Sequence, residues 1–502
     1  MRAPDLARPL VWIVLLLTVG LVIPVVAREL RPAAAAGGEY SAATQASQPF
    51  SDFFDNKTMR VDFFHTGGMG EEIVSLDQVV SDGPWAGSHT QLIDDTNLGV
   101  HLFEVHDAAS GRLLYSRGFA SIFGEWVTTG EARSMHRTFH ESLRFPWPKQ
   151  PVRIVLKSRE DAQAFTEIAT FEIDPAARSV NPADLAPLGD VWTVLDSGPP
   201  NEKVDLVLLG EGYTAEQREK FRADAERLTE ELFSFEPFKS RRSDFNVRGI
   251  HLPAQEAGIS RPHAGRFRRS PTSTQYSIFD SERYVLSLDN RALRDVLSAA
   301  PYEFVIIMVN EKQYGGGGIF NLHSTAAVDT EFADYIFVHE FGHHFAALAD
   351  EYYTSPVAYE TGGEEHAEPW EPNVTALLDP AHLKWADLVE PGTPLPTPWG
   401  KAMFEEHARE ILAQRMVLIE EQAPEAEFDE LFRHQREIEL EMLGSMEYAG
   451  KVGAFEGASY EPVGLYRPEI DCIMFTRNMT GFCRVCQRGI SRIIDLYTVS
   501  GE

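Results

Sequence analysis

A segment near the middle of the chain combines apolar residues with side chains that are costly to bury. It reads "FVHEFGHHFAALADEYY", from Phe337 to Tyr353. On a helix, His339 and His343 are four residues apart and therefore lie on one face, one turn from each other. Two imidazoles and the carboxylate of Glu340 on a buried helix are unfavourable without a partner. The chain must fold so that a partner reaches this face.

A metal ion is the partner that this spacing favours. Neutral imidazoles in a His-Glu-x-x-His pattern suit Zn²⁺, and Glu340 then lies close enough to accept a proton from a water that the ion activates. This is the chemistry of peptide hydrolysis, with Glu340 as general base. Histidines that merely fill a core are the alternative. His344 lies off the ligand face, and we expect it at the surface or packed beside the site.

The N-terminal segment, residues 1–27, predicts export. Arg2 and Arg8 precede a long apolar run, from Leu10 to Ala27. Pro24 and Ala27 near its end resemble the cleavage region of a signal peptide. The run is also long enough to span a bilayer, so an uncleaved N-terminal anchor is the alternative. We expect an exported protein, secreted, periplasmic or at the cell surface. Any membrane contact would come through this segment.

The charge of the chain argues against a nucleic-acid partner. Lys and Arg number 45 and Asp and Glu number 76, which gives a net charge of −31. Such a surface repels a phosphate backbone. The abundant carboxylates also allow a structural Ca²⁺ ion, because calcium prefers oxygen ligands.

The hydrophobic pattern predicts an α+β protein. After a linker at residues 28–55, short alternating runs over 56–176 predict an N-terminal β-sandwich; "GVHLFEVHDAASGRLLYSR" reads as a hairpin with its turn at Asp107 to Gly111. Residues 190–502 alternate between apolar runs, such as "VDLVLLGEGYT" and "EFVIIMVN", and amphipathic helices. This pattern predicts an α/β catalytic domain. A charged segment at about 399–447 predicts a helical hairpin inserted in it.

One loop also satisfies a dinucleotide-binding pattern. "GEGYTA", from Gly210 to Ala215, follows a predicted strand and opens a predicted helix. Glu211, however, would place a carboxylate where a pyrophosphate should bind. An oxidoreductase is therefore a weak alternative.

Three cysteines lie close together near the end of the chain, Cys472, Cys483 and Cys486. In an oxidising compartment they predict one disulfide, between Cys472 and one of the pair, and one remaining thiol. A redox motif or half of a zinc site is the alternative for Cys483-x-x-Cys486, but no second such pair completes a four-sulfur site.

Several stretches resemble the IgA-peptidase family of zinc metallopeptidases, HExxH metalloendopeptidases of the zincin clan. They are "VHEFGHHFAALADEYY", "VDLVLLGEGYTAEQREKFRADAERL", "EPNVT" and "FEGASYEPVGLYRPEIDCIM". The resemblance covers roughly residues 191–497. It implies a zincin-like catalytic domain, zinc ligands at His339 and His343, Glu340 as general base, and a protein or peptide substrate. Met474 is placed like the Met-turn beneath the zinc of such enzymes, or is an ordinary core methionine.

The resemblance also suggests a role for the glycine-rich "YGGGGIFN", from Tyr314 to Asn321. In zincins, an edge strand near this place binds the extended substrate backbone, and glycine would allow close approach. A flexible surface loop is the alternative.

The third metal ligand stays open between three carboxylates. The resemblance to HExxHxxGxxH/D peptidases suggests Asp350, but Ala346 stands at the usual glycine and the acid comes one residue late. On a continuous helix Asp350 would be too far away, so the helix must end near Ala346 to Leu348 in a left-handed turn without glycine. Glu371 and Glu456 are the alternatives, in which case Asp350 would orient a histidine.

These observations predict an exported zinc metalloendopeptidase. The alternative from another class is a surface protein that binds glycans or proteins and whose metal ion is structural.

Overall fold

The computed structural model describes residues 49–160, 163–355 and 366–498. The predicted export segment at residues 1–27 and most of the predicted linker lie outside them. The strands are β1 (Phe54–Gly68), β2 (Glu71–Ser81), β3 (His101–Asp107), β4 (Leu113–Phe119), β5 (Arg137–Pro148), β6 (Val152–Arg159), β7 (Phe165–Ile173), β8 (Val180–Asn181), β9 (Asp190–Leu195), β10 (Val204–Glu211), β11 (Phe245–His251), β12 (Thr274–Gln275), β13 (Leu286–Ser287), β14 (Phe304–Val309), β15 (Gly316–Ile319), β16 (His323–Ala327), β17 (Phe455–Ala458) and β18 (Glu461–Arg467). The helices are α1 (Phe50–Phe53), α2 (Ile122–Trp126), α3 (Arg218–Leu232), α4 (Asn290–Leu297), α5 (Ala333–Ala346), α6 (Lys401–Glu420), α7 (Glu425–Gly444) and α8 (Arg484–Tyr497).

The first part of the chain forms two four-stranded sheets with a shared core. Their orders are β5-β1-β2-β8 and β4-β3-β6-β7. Val61 and Phe145 of the first sheet are buried in one cluster with Phe103 and Ile154 of the second. Alternating strands thus bury one face of each sheet against the other, as in a sandwich. The predicted hairpin is present, because β3 and β4 pair antiparallel around the turn after Asp107.

A buried histidine in this sandwich is held between two carboxylates. The Nδ1 of His65 lies 3.1 Å from Glu141 Oε2, and its Nε2 lies 2.7 Å from Glu72 Oε1. Burial alone would lower the pKa of His65, but these carboxylates raise it to about 9. The pKa of His65 is therefore higher in the folded protein than its ordinary value of 6.5. A raised pKa means that protonation of His65 stabilises the fold, and this stabilisation is fully present below pH 6.5.

We expect this stabilisation to be lost as pH rises from 6.5 to 9. The shift corresponds to at most about 3 kcal/mol in the free energy of unfolding. Denaturant unfolding at several pH values should show a steeper loss for the wild type than for His65→Gln. His136→Gln, at an exposed histidine, is the control and should keep the wild-type slope. Equal slopes in wild type and His65→Gln would contradict the assignment.

The second part of the chain is built on a six-stranded sheet. Its order is β15-β16-β14-β10-β11-β9, in which β16, β14, β10 and β11 are parallel and the two edge strands are antiparallel to their neighbours. β10 and β14 are buried along their whole lengths, as central parallel strands covered on both faces must be. Helix α5 packs on this sheet through Phe341 and Phe345, which contact Phe304. The predicted α+β class is confirmed.

The loop after β10 does not resemble a nucleotide site. Glu211 is fully buried, where its Oε1 accepts a hydrogen bond from the Thr272 backbone at 3.1 Å. Gly212 has φ of 76°, and a Cβ there would lie 2.8 Å from the backbone of Gly258. A buried carboxylate and a glycine packed on the Gly258 backbone give this turn a structural role, which argues against the dinucleotide alternative.

The predicted helical hairpin corresponds to α6 and α7, which pack against each other. The first residue of α7, Glu425, contacts the chain that leads into β15. It accepts a hydrogen bond from the Tyr314 backbone at 2.9 Å and pairs with Arg283 at 2.7 Å. Phe432 of α7 packs on Tyr314 and on Phe332, next to the start of α5. The hairpin therefore packs against the segments that lead into β15 and α5, and α5 carries His339, Glu340 and His343. Among the described residues, no helix combines the length and the apolar character needed to cross a membrane.

A buried ion-pair network joins the sandwich to the second part. The guanidinium of Arg60 lies 3.0 Å from Asp62, 3.0 Å from Asp82 and 2.8 Å from Asp295 on α4. The side chains of Asp62 and Asp82 are fully buried, whereas that of Asp295 is 36% exposed. Tyr302 adds a hydroxyl that donates to Asp82 at 2.9 Å. Arg60 thus neutralises the buried carboxylate of Asp62 and shares that of Asp82 with Arg144, which lies 2.7 Å from it.

Arg60→Met is expected to lower the free energy of unfolding by about 3–5 kcal/mol, because it leaves the buried carboxylate of Asp62 without its cation. Chemical denaturation measures the loss. Asp295→Asn removes the exposed partner and is the control, with an expected loss below about 1 kcal/mol. A wild-type-like Arg60→Met protein would show that the network does not stabilise the fold.

Candidate active site

Helix α5 ends where the sequence requires it to end. It stops at Ala346, and Ala347 adopts the left-handed conformation with φ of 55° and ψ of 32°. The backbone N–H of Ala347 still donates to His343 O at 3.1 Å. The chain then reverses, so that Asp350 returns to the face of the helix that carries the histidines. The predicted left-handed turn without glycine is confirmed.

Three ligand atoms converge at this turn. His339 Nε2 and His343 Nε2 are 3.1 Å apart, and Asp350 Oδ1 lies 3.1 Å from the first and 3.2 Å from the second. His339 and Asp350 are buried, and the side chain of His343 is 14% exposed. The structure therefore brings together the three side chains that the sequence favours as metal ligands.

The spacing fits a small tetrahedral cation. Ligands at the 2.0–2.1 Å bond length of zinc lie about 3.3 Å from each other in a tetrahedral arrangement. Asp350 Oδ1 is buried without a hydrogen-bond donor, a costly state that a cation would relieve. Against the effect of burial, the imidazoles hold the pKa of Asp350 well below its usual range, and Asp350 raises that of His343 to about 9. This electrostatic field favours a positive charge between the three atoms.

Each ligand is oriented by a further contact. His339 Nδ1 donates to the carbonyl of Ile473 at 2.9 Å, and His343 Nδ1 donates to the carbonyl of Leu348 at 2.5 Å. The hydroxyl of Tyr460 donates to Asp350 Oδ2. These contacts place both histidines in the tautomer whose Nε2 lone pair faces the site.

Tyr460 is a site residue that the sequence reasoning missed. It lies in the stretch "FEGASYEPVGLYRP", where Glu456 drew attention as a carboxylate. A tyrosine carries no ligand signature, so only the turn between β17 and β18, which returns to Asp350, reveals it. The backbone N–H of Ser459 donates to Asp350 O at 2.9 Å in the same turn.

Glu340 is more exposed than its two neighbours in α5, His339 and Phe341, which are buried. It is half-buried, and burial raises the pKa of its carboxyl group, although the two neighbouring histidines act in the opposite direction. A carboxylate with a raised pKa is a better proton acceptor than an ordinary surface glutamate. Its position beside the three ligands suits a general base.

The glycine-rich stretch forms β15 and lies directly against α5. A Cβ at Gly318 would be 2.3 Å from Glu340 O, and one at Gly316 would be 2.9 Å from Glu340 Cγ. The glycines thus allow the strand to pass directly beside α5, and the surface-loop alternative is wrong. The outer edge is not free at Gly316, which exchanges backbone hydrogen bonds with Arg283 and Val285 at 3.2 and 3.0 Å. A substrate strand cannot pair there.

Met474 lies beneath the ligand helix. It is fully buried, and a Cβ at Gly342 would lie 3.1 Å from its sulfur. The glycine between the two histidines therefore lets the helix rest on Met474. Met474 is therefore a buried contact of the helix that carries both histidines, and its role as a Met-turn stays a prediction.

The other candidate residues lie elsewhere. Glu456 pairs with Lys401 at 2.8 Å. Among the described residues, Glu371 belongs to none of the close groups of ligand side chains, and burial raises the pKa of its carboxyl group. His344 is fully buried and not at the surface: its Nδ1 lies 3.0 Å from Ile319 O and its Nε2 accepts from the Val305 backbone at 3.2 Å.

The predicted disulfide is wrong in this structure. Cys472, Cys483 and Cys486 are buried and all three are free, with Cys472 Sγ and Cys486 Sγ 3.9 Å apart, against about 2.05 Å for a disulfide. As for calcium, each close group of ligating side chains among the described residues contains a histidine or a cysteine, so none is the all-oxygen set that Ca²⁺ prefers.

Comparison with known families covers most of the chain. Residues 49–170 match the family model described as Peptidase M64 N-terminus, and residues 193–494 match the model described as IgA Peptidase M64. A search of curated proteins finds no match. The family model indicates a peptidase, suggests a metal cofactor and confirms the resemblance seen in the sequence. The chain, more than half of which the second model covers, belongs to the IgA Peptidase M64 family.

Proposed function

We propose that this protein is a zinc-dependent metalloendopeptidase with His339, His343 and Asp350 as zinc ligands and Glu340 as general base. The observation that carries the proposal is the convergence of three ligand atoms within 3.2 Å beside Glu340. Two imidazoles and one carboxylate are a donor set typical of catalytic zinc, because they leave a fourth position open. The fold around the site is proposed to be zincin-like.

The bound ion would supply two things, polarisation of the scissile carbonyl and activation of water. The chain supplies the rest. Glu340 accepts a proton from the attacking water and can return it to the leaving amine. The carbonyls of Ile473 and Leu348 fix the histidine tautomers, and Tyr460 fixes Asp350, so that little reorganisation is needed when substrate binds.

We further propose that the protein acts outside the cytoplasm, with the N-terminal segment of residues 1–27 as the export signal or anchor. The apolar run and its flanking arginines support this location. Family membership does not carry a particular target protein to this chain, so the substrate is proposed only as a class, proteins or peptides.

Chelation is expected to abolish cleavage of a mixed peptide library, and stoichiometric Zn²⁺ should restore it. Mass spectrometry of the products identifies internal cleavage sites, which distinguish an endopeptidase from an enzyme that removes terminal residues. Bound zinc without any cleavage would contradict the proposal and favour a binding protein whose metal ion is structural.

A further inference from the structure

A second group of metal-ligating side chains lies behind the candidate active site. It consists of Glu351, Cys472, Cys483 and Cys486, whose ligand atoms all lie within 4.8 Å of one another. Glu351, Cys472 and Cys486 have no exposed surface, and Cys483 is 5% exposed. We call these four residues the sulfur cluster. None of them belongs to the three ligands described above.

The carboxylate in this cluster lacks a charged partner at hydrogen-bond distance. Glu351 Oε1 lies 3.3 Å from Cys486 Sγ and 3.9 Å from Cys483 Sγ, and accepts one hydrogen bond from the Asn373 amide at 3.0 Å. Glu351 Oε2 is buried without any hydrogen-bond donor. The nearby guanidinium of Arg467 donates instead to backbone carbonyls, including Gly457 O at 2.8 Å. A buried carboxyl group among sulfur atoms must be protonated or paired with a cation, and its ionised form suits a cation ligand.

The sulfur atoms are also placed for thiolates. Cys483 is the N-cap of α8, and its sulfur accepts from the Cys486 backbone N–H at 3.4 Å. Cys472 Sγ accepts from the backbone N–H groups of Cys483 at 3.3 Å and Met474 at 3.5 Å. Backbone donors and a helix N-terminus both favour the ionised form of cysteine. The cluster therefore offers three sulfur ligands in a buried site, and their thiols lose their protons when a cation binds.

The distances match tetrahedral zinc. With Zn–S bonds of about 2.3 Å, two sulfur ligands lie about 3.8 Å apart, and Cys472 Sγ and Cys486 Sγ are 3.9 Å apart. Three sulfurs and one carboxylate oxygen complete four positions and leave none open. A closed tetrahedral site rich in thiolates is typical of structural zinc and unsuited to Mg²⁺ or Ca²⁺.

We propose that Glu351, Cys472, Cys483 and Cys486 bind a second, structural zinc ion. The three thiols bind as thiolates, so their protons pass to solvent when the ion binds. The sulfurs are then unavailable for disulfide formation, which explains how three neighbouring cysteines can remain reduced in an exported protein.

The proposed ion would position the catalytic ligands without touching substrate. Glu351 directly follows Asp350, and its backbone N–H donates to Met474 O at 2.8 Å. Cys472 and Met474 flank Ile473, whose carbonyl accepts from His339. One ion bound to Glu351 and Cys472 thus connects the segment that carries Asp350 to the segment that orients His339, and holds both to the start of α8.

Metal analysis of the purified full chain tests the proposal. The wild type is expected to hold two zinc ions per chain, and His343→Ala one. After replacement of zinc by Co²⁺, His343→Ala should show a sulfur-to-cobalt charge-transfer absorption, which histidine and carboxylate ligands cannot produce. His343→Ala combined with Cys483→Ser and Cys486→Ser should lose both the remaining ion and this absorption. A metal-free His343→Ala protein, or cobalt bound without the absorption, would overturn the proposal.

A second measurement avoids variants of the cluster that fail to fold. Titration of His343→Ala with an organomercurial should release one zinc ion as three thiols react. Alkylation of the unfolded wild type without reductant should label all three cysteines. A disulfide between Cys472 and either partner would exclude the site. These measurements do not depend on peptidase activity. An inactive protein that retains one sulfur-bound zinc would contradict the proposed function but support this second site.

Discussion

Glu340→Gln is expected to lower kcat for peptide hydrolysis by about 10²- to 10⁴-fold, the usual contribution of a general base. The amide has nearly the shape of the carboxylate but cannot accept the proton from water. Because Glu340 is not one of the three converging ligands, metal content and thermal stability should stay at wild-type values. Steady-state kinetics on a peptide identified from the library, together with metal analysis, measures both quantities.

Glu371→Gln is the matched control for this variant. Glu371 also has a carboxyl group whose pKa is raised by burial, but it lies outside the group formed by His339, His343 and Asp350. It should retain wild-type kcat. Wild-type-like hydrolysis by Glu340→Gln would rule out the proposed mechanism, whereas loss of activity in both variants would indicate a general effect of removing partly buried carboxylates.

Asp350→Ala is expected to remove the catalytic metal as completely as His343→Ala does. Its Oδ1 lies within 3.2 Å of both histidine nitrogens, so the variant loses one of three protein ligands. Dialysis against a weak chelator followed by metal analysis should show one equivalent less than in the wild type. Peptide hydrolysis should fall to background.

The carboxylates that the sequence left as alternatives provide the controls. Glu456→Ala and Glu371→Ala should keep the full metal content, because Glu456 pairs with Lys401 and neither residue belongs to a close group of ligands. A residue that only orients a histidine would weaken metal binding about 10- to 100-fold. Full retention of zinc by Asp350→Ala, with loss in Glu456→Ala, would assign the ligand to Glu456.

The sequence was sufficient to predict the local part of the site. Histidines four residues apart fix their own relative position once a helix forms, so His339, His343 and Glu340 could be identified without any tertiary information. The left-handed turn also followed from sequence, because Asp350 reaches the histidines only if the helix ends at that point. Strand and helix periodicity predicted the α+β class for the same reason, since both patterns are local.

Features that depend on distant pairing were not predictable. The whole helical hairpin, α6 and α7, lies between Glu351 and the three cysteines in sequence. The cysteines alone therefore suggest a disulfide. The glycines of β15 gave a signal of close approach, but not that the approaching element is α5. Arg60 and Asp82 look like ordinary surface residues until β1, β2 and α4 meet.

The Arg60 network and the hydrophobic core that the sandwich shares with the second part have a consequence for truncated forms of this protein. Leu98, Phe123 and Trp126, which precede the second part of the chain, are buried in the same hydrophobic cluster as Phe341 of α5. A truncated protein that begins near β9 would expose the apolar residues that pack against this cluster, and Asp295 would lose its contact with Arg60. We therefore expect such a fragment to aggregate. We also expect the intact protein to unfold in a single transition in calorimetry, so that the two matched family segments form one cooperative folding unit.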